Sequence, residues 1–468
     1  MTDSYNQLCA DELLLEPDKV LLPDGISNGL AVVVAGGCFR RIGPVEAVRA
    51  EFPHLVPVAL PQRLLMPGLI DAHTHLTQAL GKALAFGETS EIFRRIWVPM
   101  EGSLRPEAAF VSAKLAALEA LRGGFTTVVD AGTRSSDAID GIARAARESG
   151  IRCVLALACN DLAHPGAATE TEALLRAAQA HLSRFDADTL VHPSLAVSIP
   201  EVASDAMLRG LASMCLEANR IFQTHANEHL VAVERSLVAR GMRPIELLAA
   251  CNALNPRTLL AHATLLTPRE LGLLQTTGAA VAYNPVASQW KGNAVCDALM
   301  LQAQGVPFAL GTDGTRYDGF RLLDAAEATQ RLAFGLARGD SSAGGGWVWL
   351  DHATHLAAPA VGLQGVTGAI AEGLAADFLL IDLDVPELLP SWDLGWELVR
   401  LADRSQIEAV VVAGRLRLWQ GWPVDWDARA LLAEVRAMAR EDIARAPIQR
   451  IHPTSDAHRQ QHGPEHPR

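Results

Sequence analysis

The chain is 468 residues long, 49% hydrophobic and 20% charged, with a formal net charge of -13. That balance argues against a nucleic-acid partner, which needs a basic surface, and reads as a solvated acidic exterior. No apolar run approaches the roughly 20 residues that span a bilayer, and Met1 to Gln7 lacks the basic-then-apolar order of a secretory signal. A cytoplasmic protein with no membrane partner is therefore expected. The length suits one large domain with a smaller one beside it. Seven cysteines form no CxxC pair, and several lie in apolar runs such as Ile151 to Leu155. They read as small buried hydrophobes in a reducing compartment.

From about residue 10 to 60, short apolar runs such as Gly29 to Gly37 alternate with turn signals, which is strand chemistry without a long helix. Met66-Pro67-Gly68 then leads into Leu69-Ile70-Asp71-Ala72-His73-Thr74-His75. Side chains alternate across a strand, so His73 and His75 project from one face and can chelate one divalent metal. Pro106 to Gly123 reads as a helix, with Pro near its start and Gly-Gly at its end. Candidate strands follow at 126–130, 151–157, 190–198, 221–225, 258–264, 279–284 and 307–313. With 68–75 these make eight strands with helices between most of them, the pattern of a (β/α)8 barrel in an α/β protein. An open doubly wound sheet is the alternative, but no GxGxxG follows a first strand.

Strand-like runs return at Ala376 to Asp382 and Ala409 to Arg415. Residues 1–65 and 366–425 are thus expected to form a small β-sandwich domain from both chain ends, around a barrel at 66–365. Residues 426–468 remain as a C-terminal helix and a polar tail. The tail carries His452, His458, His462 and His466, and a disordered terminus is favoured there over a metal site.

In such a barrel, chemistry sits at the C-terminal ends of the strands. His73 and His75 end the first strand. His225 ends another, with Glu228 three residues on; His262 is late in the next, and Asp313 ends the last between glycines. Any one of these could be a loop hydrogen-bonder, and Glu228 a first-turn carboxylate of the following helix. Four strands converging in this way points instead to one site.

The combination resembles the amidohydrolase superfamily, in its branch of mononuclear-metal aminohydrolases that includes guanine, cytosine and triazine deaminases and chlorohydrolases. Pro67-Gly68-Leu69-Ile70-Asp71-Ala72-His73-Thr74-His75, His225-Ala226-Asn227-Glu228 and Gly311-Thr312-Asp313-Gly314 are similar to that family's strand-end motifs. Gly368 to Asp377 resembles its return into the β-domain. The resemblance implies that His73, His75, His225 and Asp313 hold one divalent ion. Zn²⁺ suits that donor set best, and Fe²⁺ or Mn²⁺ would also fit. It also implies a metal-activated hydroxide, with Glu228 as general acid/base, His262 stabilising developing charge and Asp313 shuttling a proton. A related branch uses two metals bridged by a fourth-strand lysine. None of the four lysines (19, 82, 114, 291) falls in 190–198, which disfavours it.

For the substrate, the resemblance points to Gln78, three residues after His75, which can donate and accept toward a lactam; a plain loop hydrogen bond is the alternative. The loop Phe86 to Trp97 has the aromatic and charged content of a lid. Trp97 is either a lid face or core packing, and one of Arg94 and Arg95 would meet a carbonyl or carboxylate. Two stretches depart from the family pattern. Tyr283 to Trp290 has Gln289 where Asn is usual, shifted by one residue, and Thr315 to Gly319 replaces a Ser-Asn-Asn-like stretch. Trp290, Arg316 and Tyr317 thereby become specificity candidates. The expected activity is hydrolytic release of ammonia from an amino-substituted purine, pterin, pyrimidine or triazine. Expulsion of chloride or an alkylamine from a triazine-like ring is the alternative, and an inactive scaffold is a third reading. The resemblance also implies a homo-oligomer.

Overall fold

The computed structural model describes residues 2–88, 91–133, 138–162, 171–339 and 345–462. The chain opens with β1 (Leu13–Leu22), β2 (Gly25–Asn28), β3 (Leu30–Ala35), β4 (Cys38–Pro44) and β5 (Pro57–Pro67). Eight strands follow, with helices between them: β6 (Leu69–Thr74), β7 (Phe125–Asp130), β8 (Arg152–Ala158), β9 (Val191–Ala196), β10 (Phe222–Ala226), β11 (Thr258–His262), β12 (Ala280–Tyr283) and β13 (Phe308–Leu310). The chain then returns through β14 (Phe378–Asp382), β15 (Ile407–Val412), β16 (Arg415–Trp419) and β17 (Trp422–Pro423).

The two chain ends build one nine-stranded sheet in the order β17-β16-β15-β14-β5-β1-β3-β4, with β2 on β1. The ends meet where β14 pairs antiparallel with β5, Phe378 opposite Pro67 and Leu380 opposite Leu65. Leu13, Leu15, Val32, Val34, Phe39, Phe378 and Val411 pack on one of its faces. Alternation along β1 and β3 puts Leu14, Ala31 and Val33 on the other face, against Val48.

The middle strands form an eight-stranded parallel sheet in chain order, β6 to β13. The ring closes between its last and first strands. The Asp313 N–H donates to the His73 carbonyl at 2.8 Å, and the Thr312 N–H and hydroxyl donate to the buried Asp71 carboxylate at 2.9 and 2.5 Å. Ile70, Ala72, Val129, Val154, Ile221, Leu259, Ala280 and Ala309 fill the barrel interior. Each large aliphatic buried there contributes about 1.5–3 kcal/mol. The helix Pro106–Arg122 lies outside the ring, where Val111, Ala113, Ala117, Leu118 and Leu121 join the core between strands and helices.

One buried ion pair ties barrel to sheet. Arg152, opening β8, donates from Nε and Nη2 to Asp377, just before β14, at 2.9 and 3.1 Å. The Thr367 hydroxyl and the Ala413 N–H also donate to Asp377, each at 2.7 Å. A bidentate pair with every carboxylate lone pair in use is the geometry in which a buried charge is tolerated.

All seven cysteines are free, and five of them (153, 159, 215, 251 and 296) are buried. No helix among the described residues is long and apolar enough to cross a membrane. The C-terminal segment runs as the helix Ala428–Glu441, a strap over 443–452 and a short helix Ser455–His462. His466 lies outside the described residues.

Candidate active site

The turns after the barrel strands hold non-glycine residues in left-handed backbone conformations: Asn227 (φ 51), His262 (φ 74), Ala263 (φ 46) and Asp313 (φ 56). Such conformations persist where surrounding bonds over-determine them, and they concentrate at functional sites. Here those bonds are visible. The Asn227 amide donates to the buried Glu270 carboxylate at 3.0 Å, the Thr264 hydroxyl donates to the Asn227 carbonyl, and the Ala263 N–H bonds the Ala226 carbonyl at 2.9 Å. Gly311 is needed at the ring's seam. A Cβ there would meet Asn284 Oδ1 at 2.2 Å and the His73 Cβ at 3.0 Å.

These turns bring four ring strands to one point. One ligand atom from each of His73, His225, His262 and Asp313 lies within 4.8 Å of the others. His75 joins the cluster, its Nε2 being 3.2 Å from His225 Nε2 and 3.5 Å from Asp313 Oδ1. His73 Nε2 lies 3.3 Å from the same carboxylate oxygen. His225 Nδ1 sits 2.7 Å from the Ser198 carbonyl, which can only accept, so Nδ1 carries the proton and Nε2 presents its lone pair to the cluster. The Asn284 amide nitrogen, 3.3 Å from His262 Nδ1, leaves the proton of that ring on Nε2.

The donors fit a divalent cation. His73 Nε2, which faces the cluster, is buried without a hydrogen-bond partner among the described residues, an arrangement that is costly unless something else satisfies it. Burial lowers the His73 imidazole, and burial with the neighbouring His73, His75 and His262 rings holds His225 well below its usual value. Neutral imidazoles are the ligating form. Burial would also lower His75, but the Asp313 contact and charge outweigh it and raise that ring. Burial pushes the Asp313 carboxyl up, and the Lys291 charge with the His73 and His75 contacts overrides this and keeps it ionised.

Beside the cluster opens a cavity of about 390 Å³, whose lining includes His75, Gln78, Trp97, His225, Glu228 and Asp313. Glu228 Oε1 lies 4.0 Å from His262 Nε2. Burial opposes ionisation of Glu228, but the Lys291 ammonium, then His262, holds its carboxyl below the usual range. Burial sets the His262 imidazole at about 4, so this ring is neutral.

The expected substrate residues divide. Gln78 lines the cavity, its amide fixed by a 3.1 Å bond to the buried Glu101 carboxylate. Trp97 serves both of its readings, lining the cavity while packing with Ile96, Met100 and Leu104. Arg94 faces the cavity, whereas Arg95 turns away to Glu88 at 2.8 Å. Trp290 lines it too, with Nε1 bonded to the Thr315 hydroxyl at 3.0 Å.

Tyr317 does not reach the cavity, contrary to the sequence-based expectation. After the left-handed turn at Gly314 (φ 69) the chain runs back down, and the buried Tyr317 hydroxyl meets the Thr74 hydroxyl at 2.5 Å beneath the site. Arg316 lies 3.8 Å from Asp318 and Gln289 donates to Thr329 at 2.8 Å, and neither is among the residues that line the cavity. The residue the sequence reading missed is Lys291. It ends the helix Pro285–Lys291 and lines the cavity, with Nζ 2.8 Å from Glu228 and 2.7 Å from Asp313. Its place directly after Trp290, next to a stretch already marked as unusual, was the available signal. The described part of β9 holds no lysine, in keeping with a single-metal site.

The chain's likenesses follow the same lines. A 5-methylthioadenosine/S-adenosylhomocysteine deaminase from Syntrophobacter fumaroxidans is 27% identical over 433 residues, covering 92% of this chain and 96% of that one. A 5'-deoxyadenosine deaminase from Methanothermobacter thermautotrophicus is 28% identical over 419 residues, covering 88% and 94%. The crystal structure of an adenosine deaminase from Xanthomonas campestris with bound zinc superposes with a TM-score of 0.81 at 25% identity, covering 92% of this chain and 98% of that one. Residues 64–417, from the end of β5 through the barrel and into β16, match the profile of the amidohydrolase family. With its barrel, its strand-end histidines and its ring-closing aspartate all inside that match, the chain belongs to the amidohydrolase family.

Proposed function

We propose that this hydrolase deaminates an amino-substituted nitrogen heterocycle, with nucleosides of the adenine series as the leading substrate class and zinc as its metal. The observation that carries the reading is the position of Glu228. It is an ionised carboxylate lining a small-molecule-sized cavity, 4.0 Å from His262 and beside the ligand cluster. The names of the relatives favour an adenine base, since the three compared above are deaminases of adenosine or its 5'-modified forms.

His73, His75, His225 and Asp313 would hold a divalent ion, which when bound would supply Lewis acidity and acidify a water toward neutrality. The chain's own groups do the rest. Gln78 offers a carbonyl and an N–H to the ring edge, and Trp97 gives an apolar wall for its face. Glu228 accepts the water proton and delivers it to a ring nitrogen, which weakens the aromatic system at the carbon under attack. The His262 Nε2–H stabilises charge developing on the incoming oxygen. Asp313, ionised and adjacent, takes the proton from the hydroxyl newly bonded to the ring carbon and passes it to the departing amine, so that the C–N bond breaks, a C=O forms and ammonia leaves.

The test is an ammonia-release panel with zinc-loaded enzyme. It would contain adenosine, 5'-methylthioadenosine, S-adenosylhomocysteine, guanine, a pterin, cytosine, aminotriazines and their chloro analogues. Stoichiometric ammonia from an adenine nucleoside supports the reading. Chloride without ammonia, or ammonia from a non-purine alone, overturns the substrate class.

A further inference from the structure

The four strand-end ligands and Glu228 are held by backbone turns, but their two carboxylates are held by one side chain. Lys291 sits at the C-terminal end of the helix Pro285–Lys291, which Gly292 terminates in a left-handed conformation (φ 66). The Trp290 ring lies 5.5 Å from its ammonium. The Lys291 side chain is 9% exposed, so its charge is committed to its two partners. Those partners are Asp313 Oδ2 at 2.7 Å and Glu228 Oε1 at 2.8 Å.

Each carboxylate is thereby divided. Asp313 gives Oδ2 to Lys291 and turns Oδ1 to the imidazoles, 3.3 Å from His73 and 3.5 Å from His75. Glu228 gives Oε1 to the same ammonium, and its Oε2 makes no hydrogen bond among the described residues, leaving it for the cavity. A buried ammonium with three donors can orient both groups at once, and it removes the repulsion between two anions that close together.

We propose that Lys291 is a positioning residue of this site: it clamps one oxygen of each carboxylate, keeping Asp313 a one-oxygen ligand and aiming the other oxygen of Glu228 at the substrate. The kinetic arm of this inference rests on the deaminase reading; its spectroscopic arm does not. Partners that orient a metal's ligands typically matter by about 10- to 100-fold when removed, which sets the expected scale.

The test uses the full chain with cobalt(II) in place of zinc, as wild type, K291M and K291Q. In K291M the freed Asp313 oxygen can join the metal, raising the coordination number and weakening the visible d–d absorption. K291Q, which retains one neutral donor, is expected to lie between, and supplies the same comparison if K291M does not fold. With ammonia release as readout, K291M lowers kcat about 10- to 100-fold with KM within about threefold. The double variant E228Q/K291M loses less than the product of the two single losses, because part of the lysine's effect acts through that glutamate. A wild-type cobalt spectrum in both variants, or losses that multiply in the double variant, overturns the proposal. Absence of ammonia from every panel compound defeats the deaminase reading alone, since the cobalt spectrum still judges the clamp.

Discussion

Asp313 and His73 are joined twice. The Asp313 N–H donates to the His73 carbonyl at 2.8 Å, and Asp313 Oδ1 lies 3.3 Å from His73 Nε2. The first contact closes the barrel between its last and first strands; the second assembles the ligand cluster. Ring closure and site assembly are therefore one event, and a chain that fails to close its barrel has no site. Asp71 strengthens the same seam through Thr312.

Glu228→Gln tests the acid/base assignment. The amide keeps the shape but exchanges one acceptor oxygen for a donor and cannot take a proton, so kcat falls roughly 100- to 10,000-fold. Metal content, read by elemental analysis, stays at the wild-type level because Glu228 is not among the ligands. Unchanged turnover would sink the mechanism.

Tyr317→Phe tests the reassignment of that residue to the buried core between strands and helices. Losing the hydroxyl bond to Thr74 costs about 1 kcal/mol of stability, seen as a lower unfolding midpoint in denaturant. The ratio of kcat/KM values between any two panel substrates stays the same. A changed preference would return Tyr317 to the pocket.

Asp377→Ala removes the carboxylate that receives Arg152, Thr367 and the Ala413 N–H. A buried guanidinium left unpaired costs about 3–5 kcal/mol, measured by denaturant unfolding. The site lies at the other end of the barrel, so the folded fraction retains wild-type KM.

Glu88 ties the C-terminal strap to Arg95. It accepts from Arg95 at 2.8 Å and from the Ile451 and His452 N–H groups, each at 3.2 Å, while Arg450 also reaches the Leu84 carbonyl at 2.9 Å. Burial would raise this carboxyl, but the Arg95 bond and the two N–H donors outweigh it and hold it below the usual value. A lowered folded value means the strap's stabilisation is complete above the unfolded value of about 4.3. It is lost as pH falls through the folded value. Amide exchange over 446–452 should accelerate below that range more than exchange in β6 to β13; equal acceleration would count against the anchor.

Much of this architecture was legible in the chain. The strands at 68–75, 126–130 and 258–264 announce themselves as apolar runs ending in polar residues, and the family motifs give His73, His225, Glu228 and Asp313 their order along the ring. What was not legible depends on contacts across long separations. Lys291 belongs to a short helix, and nothing nearby in sequence shows that ring closure delivers its ammonium between Glu228 and Asp313. The strap pairs Glu88 with residues more than 360 positions away, and composition alone made that tail a polar terminus. Tyr317 misled because a loop after a catalytic aspartate usually faces the pocket, whereas the Gly314 turn sends this one downward.

The most direct test of a one-metal hydrolase is a titration of zinc into chelator-stripped enzyme, following ammonia release from the best panel substrate. The account predicts no release without metal, a linear rise, and a break at one equivalent per chain. A break at two equivalents, or release that persists without metal, would contradict it.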